Sequence, residues 1–383
     1  MACVIKYSGA DMMNDKVFSF FNITPDSPEW NDWRWQYRNR ITTVESLSRI
    51  ISFSEKEQRE IAASLGYFRM AITPYYASLM DANNPSCPIR IQAVPSVNET
   101  RVQTWEKKDP LCEENDSPVP NIVHRYPDRA LFLATRRCAM YCRHCFRKRY
   151  VDEKDCHITN EEKEKAVGYI AGTPQIRDVL VSGGDPLTMN DGDLEDIIAK
   201  LRAIPHVEVI RIGTRMPVVL PMRITPSLLD MLKKYHPVWI NTHFNHPREL
   251  TKQSIKACTD IADAGIPLGN QTVLLRNIND NTETMKELLL KLVKARVRPY
   301  YIYQCDLCEG SEHWRTRVET GIEIIRNLTG KISGYAIPRF VIDAPNGAGK
   351  VPVNPDFVVS LDEEKIVIRN YEGHVYTYPQ PRL

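Results

Sequence analysis

Three cysteines lie close together in the short segment CAMYCRHC, whereas the other seven of the ten cysteines are spread along the 383-residue chain. Cys138, Cys142 and Cys145 could bind three irons of a four-iron cluster and leave the fourth iron open to another ligand. A closed zinc site would need a fourth ligand, which His144 or Cys156 could supply. The segment therefore predicts a metal centre, and iron–sulfur and zinc both remain open.

Glycines and an acid form a second candidate site in SGGDPL, residues 182–187. Gly183 and Gly184 would let the backbone approach a ligand closely, and Asp185 could accept a hydrogen bond from an ammonium group. A tight turn between a strand and a helix would explain the same residues.

Two arginines and a lysine suggest a site for a phosphorylated aldehyde. Arg125 and Arg129 lie four residues apart in HRYPDR, and guanidinium groups suit phosphate oxygens. Lys350 follows the glycine-rich segment DAPNGAG, and a lysine there can form a Schiff base with an aldehyde. Together these residues predict pyridoxal phosphate.

The elements that position these residues begin at Ala130, where short apolar runs start to alternate with amphipathic stretches. The runs cover residues 130–135, 178–185, 207–215, 238–245, 267–275 and 298–306. Six strand-then-helix units predict a parallel sheet, because each crossover must return the chain to the same edge. Polar residues follow each run, which is where both barrels and open α/β sheets place their chemistry.

The chain divides into three parts by its patterns. Residues 1–120 carry helical apolar spacing and predict an N-terminal helical region that ends in a proline-rich loop. Residues 121–310 form the α/β core. In residues 311–383 the segment around Lys350 reads as a loop, and the segment after it reads as a β-rich tail.

The charge balance bears on partners and compartment. The formal net charge is +2, so no global field attracts nucleic acid or an anionic membrane. No apolar run is long enough to cross a bilayer, and the first residues lack the apolar centre of a signal peptide. We therefore expect a cytoplasmic protein with reduced cysteines. A basic zinc finger over RRCAMYCRHCFRKRY is the non-enzyme alternative, against which the balanced charge and the missing second ligand pair argue.

The spacing CxxxCxxC after a strand resembles the radical S-adenosylmethionine superfamily, and Tyr141 and the GGD stretch agree with it. From about Trp30 to the C-terminus, the chain also resembles the lysine 2,3-aminomutase family. The motifs are, in order, WNDWRWQYRNRI, RMAITPYY, DSPVP, HRYPDRALFL, MYCRHC and VRPYYIYQCDL. The resemblance implies an α/β fold with a partial, TIM-like (β/α)6 barrel, an N-terminal helical region and a β-rich tail. It also implies a homodimer or homotetramer.

The resemblance further implies roles for individual residues. A 4Fe-4S cluster would be bound by Cys138, Cys142 and Cys145. S-adenosylmethionine would be contacted by Gly183, Gly184, Asp185, His243 and Gln271. Pyridoxal phosphate would be held by Lys350, Arg125, Arg129 and Tyr303. The substrate carboxylate would pair with Arg147, and the distal cation would pair with Asp306 and Asp343.

The reaction implied by the resemblance moves the α-amino group of a free basic amino acid to its β-carbon, L-lysine being the first expectation. Glutamate-specific relatives carry Lys and Asn where this chain has Asp306 and Asp343, and two acids favour a cation. Arginine is an open alternative because a guanidinium can use the same carboxylates. A protein-bound lysine is a further alternative target. The electron would come from a donor such as flavodoxin or ferredoxin.

Two departures from the family pattern affect metal and thiol predictions. Several family members bind zinc through a C-terminal cysteine cluster and a cysteine of a neighbouring subunit. Here no cysteine follows Cys308, and Asn281 aligns with the neighbour's cysteine, so we expect no zinc and a less constrained oligomer. Cys305 and Cys308 form a CxxC pair, which we expect to be packing residues rather than a redox or metal site.

Overall fold

The computed structural model describes residues 13–153 and 156–381 of the chain. Residues 1–12, which carry most of the segment behind the signal-peptide prediction, lie outside that description. The N-terminal region consists of short helices, as predicted. They are α1 (Asp15–Phe21), α2 (Pro28–Asn31), α3 (Trp33–Arg38), α4 (Val44–Ser48), α5 (Glu55–Ser64), α6 (Pro74–Ser78) and α7 (Pro88–Ala93).

A nine-stranded sheet follows, with its strands hydrogen-bonded in the order of the chain. The strands are β1 (Ile122–Tyr126), β2 (Arg129–Thr135), β3 (Asp178–Gly183), β4 (Val209–Gly213), β5 (Val238–Thr242), β6 (Leu268–Leu274), β7 (Arg298–Gln304), β8 (Arg339–Ala344) and β9 (Gly349–Pro352). Neighbours from β2 to β8 pair in parallel, whereas β1 and β9 are antiparallel edge strands. The six predicted strands are confirmed as β2 to β7.

Three strands, β1, β8 and β9, were not predicted: β8 and β9 lie in the segment that reads as a loop, and β1 directly follows the proline-rich loop. Prolines and glycines flank β8 and β9 and hide their short apolar runs, but Phe340 and Val341 of β8 are buried in the sheet. Lys350 therefore lies on a paired strand rather than a loop, opposite Asp343 of β8.

Helices connect the parallel strands and cover the sheet. They are α8 (Lys148–Glu153), α9 (Asn160–Ala171), α10 (Asp191–Arg202), α11 (Met216–Val219), α12 (Pro226–Lys233), α13 (Lys252–Asp263), α14 (Thr282–Lys294) and α15 (Val318–Leu328). The predicted start of α12 is confirmed: Thr225 Oγ1 accepts from the backbone N–H of Leu228 at 3.2 Å, and Pro226 takes the first helical position.

Helix burial follows the spacing of apolar residues. In α10 the buried residues Leu194, Ile197, Ile198 and Leu201 recur at the three- and four-residue intervals that place side chains on one face. The corresponding residues of α14 are Met285, Leu288, Leu289 and Leu292. These stripes bury the outer surface of the sheet, so its polar strand ends remain free to form a site.

The two edge strands approach each other where the sheet curls round. The phenolic oxygen of Tyr126, at the end of β1, accepts a hydrogen bond from the backbone N–H of Lys350 on β9 at 3.0 Å. The sheet is therefore a partial barrel whose seam lies between β1 and β9.

A separate antiparallel sheet ends the chain, formed by β10 (Val358–Leu361), β11 (Lys365–Arg369) and β12 (Val375–Pro379). The predicted β-rich tail is confirmed there. The division of the chain at residues 120 and 310 stays a prediction, and β8 and β9 of the third part belong to the nine-stranded sheet. Within the described residues, no helix combines the length and apolar character that a membrane crossing requires.

Candidate active site

One cavity of about 1250 Å³ runs through the partial barrel. It is lined by every residue for which the family resemblance implies a role in binding cofactor or substrate: Arg125, Arg129, Cys138, Cys142, Cys145, Arg147, Gly183, Gly184, Asp185, His243, Gln271, Tyr303, Asp306, Asp343 and Lys350. The three thiols and Lys350 therefore line the same cavity, although they are far apart in sequence: the thiols follow β2, and Lys350 lies on β9.

The cluster loop, which we define as residues 136–146 after β2, is held by the N-terminal helical region. Arg40 Nη1 donates to the carbonyl oxygen of Cys138 at 2.6 Å. The backbone N–H of Tyr141 donates to the carbonyl oxygen of Ala71 at 3.0 Å. The loop conformation therefore depends on residues far outside the barrel.

A buried ion pair holds the centre of the cluster loop. The guanidinium of Arg143 is fully buried, and its Nη2 lies 2.6 Å from Glu99 Oε2. The same nitrogen donates to the carbonyl oxygen of Phe68 at 3.0 Å, and Nη1 donates to that of Arg69 at 2.8 Å. Since a buried charge needs both a counter-charge and hydrogen bonds, Arg143 ties this loop firmly to the helices.

The three thiols suit an iron–sulfur cluster by their chemistry. All three are free cysteines at the cavity wall. Among the residues that the structure describes, no three His, Cys, Asp or Glu side chains converge so as to hold one metal ion. In a four-iron cluster each of the three cysteines would bind a different iron.

Backbone atoms of neighbouring segments lie so close to the GGD segment that they exclude side chains from its two glycine positions. Gly183 has φ of 118°, and a Cβ there would lie 2.4 Å from the carbonyl oxygen of Thr135. A Cβ on Gly184 would lie 2.2 Å from the carbonyl oxygen of Arg137. Only glycine fits at either position, because the end of β2 passes directly against Gly183 and the start of the cluster loop passes directly against Gly184.

Asp185 is engaged within the protein as well. Its carboxylate accepts from Thr214 Oγ1 at 2.7 Å, from the backbone N–H of Arg215 at 2.8 Å and from that of Leu187 at 3.0 Å. The carboxylate thus joins the ends of β3 and β4 and caps the turn that follows. The tight-turn explanation accounts for these contacts, and the role of Asp185 toward an ammonium group stays a prediction.

Lys350 lies between an acid and an aromatic ring. Its Nζ is 2.9 Å from Asp343 Oδ1 and 5.3 Å from the ring centroid of Tyr303. Burial raises the pKa of Tyr303 well above its usual value, and the negative charge of Asp343 acts in the same direction. The tyrosine therefore stays a neutral phenol beside the lysine.

The two predicted phosphate-binding arginines lie near the seam. Arg125 Nε is 2.7 Å from Asp116 Oδ2, and its Nη2 donates to the carbonyl oxygen of Leu111. The guanidinium of Arg129 stacks over the ring of Tyr126 at 4.2 Å. Both arginines line the cavity close to the strand that carries Lys350. This arrangement fits pyridoxal phosphate, whose phosphate group would meet the arginines and whose aldehyde would meet the lysine.

Arg147 and Asp306 differ in their partners. Arg147 Nη2 lies 2.7 Å from Glu113 Oε1; burial lowers its pKa, but the Glu113 carboxylate more than offsets this and the pKa is raised. Among the described residues no ion pair of this kind is found for Asp306. Burial, followed by repulsion from Asp343, raises its pKa to about 7, although the positive charges of Lys350 and Arg147 act in the opposite direction. A positive charge that arrived beside Asp306 would favour its ionised form.

His243 lies just after the carboxyl end of β5, as predicted, whereas Gln271 lies in the middle of β6 and not at its end; both line the cavity. Burial, together with the nearby positive charges of Arg215 and Arg147, lowers the pKa of His243 to about 4, so its imidazole is neutral at pH 7. A neutral ring can both donate and accept a hydrogen bond.

The remaining thiol and metal predictions concern Cys305, Cys308 and Asn281. Cys305 and Cys308 are buried, and the thiol of Cys308 lies 3.6 Å from the carbonyl oxygen of Phe146, so it packs against the cluster loop. Asn281 caps α14, with its Oδ1 accepting from the backbone N–H of Thr284 at 2.9 Å. The expectation that the chain lacks the family's zinc site stays a prediction.

Three residues at the site escaped the sequence analysis. Arg215 contacts Cys142 Sγ, Glu113 neutralises Arg147, and Tyr126 holds the backbone of Lys350. Tyr126 lies between the two arginines of HRYPDR, so the motif contained a signal, but the other two contacts join residues that are distant in sequence.

Comparison with known proteins agrees with this geometry. The family model described as Radical SAM superfamily matches residues 132–289, and the model described as Lysine-2,3-aminomutase matches residues 325–383. The chain is 56% identical to the L-lysine 2,3-aminomutase of Clostridium subterminale, with 96% of this chain and 88% of the relative covered. It is 51% identical to that of Bacillus subtilis, covering 93% of this chain and 76% of the relative.

A relative with another name is more distant. The glutamate 2,3-aminomutase of Clostridioides difficile is 45% identical, with 94% of this chain and 85% of the relative covered. Identity above one half along nearly the whole chain, with a shared cavity built from the matching motifs, leaves one assignment. The chain belongs to the lysine 2,3-aminomutase family of the radical S-adenosylmethionine superfamily.

Proposed function

We propose that this chain is a 2,3-aminomutase that moves the α-amino group of a free basic L-amino acid, first of all L-lysine, to the β-carbon. The observation that carries the proposal is the single cavity shared by the cysteine trio, Lys350 and two acids. The family supplies the cofactors: a 4Fe-4S cluster, S-adenosylmethionine and pyridoxal phosphate.

The residues of this chain fit those groups by their chemistry. Cys138, Cys142 and Cys145 would bind the cluster, and the backbone of the GGD segment with His243 and Gln271 would contact S-adenosylmethionine. Arg125, Arg129, Tyr303 and Lys350 would hold pyridoxal phosphate. When bound, these groups supply a carbon-centred radical that removes a hydrogen atom and an aldehyde that carries the migrating nitrogen.

The protein's own task is to orient the substrate and exclude side reactions. Arg147 would hold the substrate carboxylate at one end, next to the cluster loop. Asp343 lies 2.9 Å from Lys350 Nζ in the structure. Asp306 and Asp343 would face the distal cation of a basic substrate from the same side of the cavity.

The balance of charge favours a basic substrate. An anionic distal group would lie beside Asp306 and Asp343 in a buried pocket, where repulsion is poorly screened. Arginine presents the same charge as lysine and is tested beside it. The L-lysine 2,3-aminomutases of Clostridium subterminale and Bacillus subtilis, at 56% and 51% identity, are also more similar to this chain than the glutamate relative is at 45%.

The proposal includes partners and setting. An electron must reach the cluster, and we propose a small redox protein such as flavodoxin or ferredoxin as its donor. We propose a homodimer or homotetramer in the cytoplasm, a compartment that suits the nine free cysteines among the described residues.

Product analysis tests the proposed function. Anaerobically reconstituted protein, supplied with S-adenosylmethionine, pyridoxal phosphate and dithionite, is expected to convert L-lysine into β-lysine. Separate incubations with L-arginine and L-glutamate, followed by mass spectrometry and NMR of the β-amino acids, rank the substrates. Turnover of glutamate equal to that of lysine would overturn the charge argument, and no β-amino acid from any of them would overturn the proposal.

The pH dependence of lysine binding follows from Asp306. Its pKa of about 7 means that the carboxylate gains a proton as the pH falls through neutrality, while the lysine side chain, with a pKa of about 10.4, stays charged. We expect kcat/KM for lysine to fall about tenfold per pH unit below pH 7, mainly through KM. In Asp306→Asn this slope should disappear, and a wild-type slope in that variant would contradict the assignment.

A further inference from the structure

Arg215 joins the cluster loop to the protein interior. It follows β4, and its Nη1 lies 2.8 Å from Cys142 Sγ, within hydrogen-bonding distance. Its Nε donates to the carbonyl oxygen of His243 at 3.0 Å, and its Nη2 lies 2.9 Å from Glu249 Oε1. The guanidinium is thus fixed on three sides, with one nitrogen directed at a cysteine sulfur.

Glu249 is held as firmly as Arg215. The residue is fully buried, and its Oε1 accepts from the hydroxyl of Tyr76 at 2.8 Å and from Gln92 Nε2 at 3.2 Å. Its Oε2 accepts from the backbone N–H of Asn245 at 2.6 Å. These donors fix the carboxylate in place without help from Arg215.

The charge of Arg215 persists in the folded protein. Burial lowers the pKa of Arg215, but Cys142 and Glu249 more than offset this, so the pKa lies above its usual value. A guanidinium does not lose its proton in proteins. The sulfur of Cys142 therefore faces a permanent positive charge, and the carboxyl group of Glu249 contacts the same guanidinium through another nitrogen.

Such charges act on the electron affinity of an iron–sulfur cluster. Hydrogen bonds to the ligand sulfurs and nearby net charge are among the factors that set its reduction potential. Reduction adds a negative charge, which a guanidinium on a ligand sulfur stabilises and a carboxylate behind it opposes. Since the pair is buried, solvent screens neither effect strongly.

We propose that Arg215 and Glu249 form an opposed charge pair that sets the reduction potential of the cluster, with Arg215 raising it through Cys142 and Glu249 lowering it. The inference rests on the proposed binding of the cluster by the cysteine trio. Arg215 and Glu249 act in it as positioning and charge-setting residues.

A redox titration of the reconstituted protein, without S-adenosylmethionine or substrate and followed by electron paramagnetic resonance of the reduced cluster, tests the inference. Arg215→Gln is expected to shift the midpoint to a more negative value. Glu249→Gln is expected to shift it to a more positive value. Arg215→Lys, which keeps the charge but loses the fork, should shift less than Arg215→Gln.

The neighbouring Arg248 offers a matched control. Its Nη1 lies 3.4 Å from the sulfur of Cys87, a cysteine outside the trio, so Arg248→Gln should leave the midpoint unchanged. Shifts of Arg215→Gln and Glu249→Gln in the same direction, or no shift in either, would overturn the inference, because a merely structural role predicts no opposition of sign.

The iron content shows whether a negative result concerns the proposed cluster or only the effect of the charge pair on its potential. If Arg215→Gln binds no iron, Glu249→Gln decides alone, and an unchanged or more negative midpoint in it refutes the inference. If the unsubstituted protein itself forms no four-iron signal, the proposed cluster is wrong and the inference falls with it. A cluster that forms while both midpoints stay fixed removes only the inference.

Discussion

Lys350→Ala is expected to abolish covalent retention of pyridoxal phosphate and to lower aminomutase activity by roughly three orders of magnitude or more, as removal of a residue that bonds to a reacting group does. Lys350 is the only lysine among the described residues that line the cavity, so no other amine can replace it. The measurement is reduction with borohydride followed by peptide mass spectrometry, which locates the cofactor on Lys350 in the unsubstituted protein.

The variant should keep its fold, because the contact that joins the edge strands uses the backbone of Lys350. The hydrogen bond from its N–H to Tyr126 survives the loss of the side chain. Lys107→Ala is the control. Lys107 Nζ contacts Asn346 Oδ1 at 2.6 Å, and Asn346 lies in the turn between β8 and β9, the hairpin that carries Lys350. Neither Lys107 nor Asn346 lines the cavity. Cofactor still bonded to Lys350→Ala, or lost equally from Lys107→Ala, would refute the assignment.

Cys142→Ala is expected to reduce bound iron from about four atoms per chain to almost none after anaerobic reconstitution, because two thiols cannot hold the cluster in a solvent-accessible cavity. Iron and zinc contents by mass spectrometry, with the visible spectrum of the cluster, give the result.

Cys156→Ala is the matched variant for the cluster. Cys156 is free and close to the cluster loop in sequence, but it is absent from the cavity lining. Its replacement should leave the iron content unchanged. If zinc binds instead of iron, and Cys156→Ala loses it, the four-ligand zinc site considered from the sequence would be correct and the cluster wrong.

The sequence predicted the middle of the sheet well and its closure poorly. Strands β2 to β7 each combine a short apolar run with a following helix, and that local pattern is sufficient to find them. The run of β8 is flanked by Pro338 and Pro345, and β9 contains Gly349, so their local signals indicate loops. They become strands because the partial barrel offers them a pairing edge, which is a long-range condition that a local pattern does not contain.

The candidate site was predictable where a motif keeps its residues together. The thiols, the GGD segment and Lys350 lie in short, recognisable segments, and the structure places them around one cavity. The contact of Arg215 with Cys142 joins residues 73 positions apart, and that of Arg147 with Glu113 joins residues 34 positions apart. Such pairs depend on the fold as a whole, and so does the pKa of Asp306.

The buried pair of Arg143 and Glu99 limits how far the chain can be shortened from its N-terminal side without loss of the cluster loop's conformation. A truncation that starts at β1 would remove Glu99 and the carbonyl groups of Phe68 and Arg69, which supply the counter-charge and the hydrogen-bond acceptors of the Arg143 guanidinium. The barrel would then lose the scaffold of its cysteine loop even with every ligand still encoded. The N-terminal helices are therefore inseparable from the catalytic unit, and shortening for engineering should be confined to other parts of the chain.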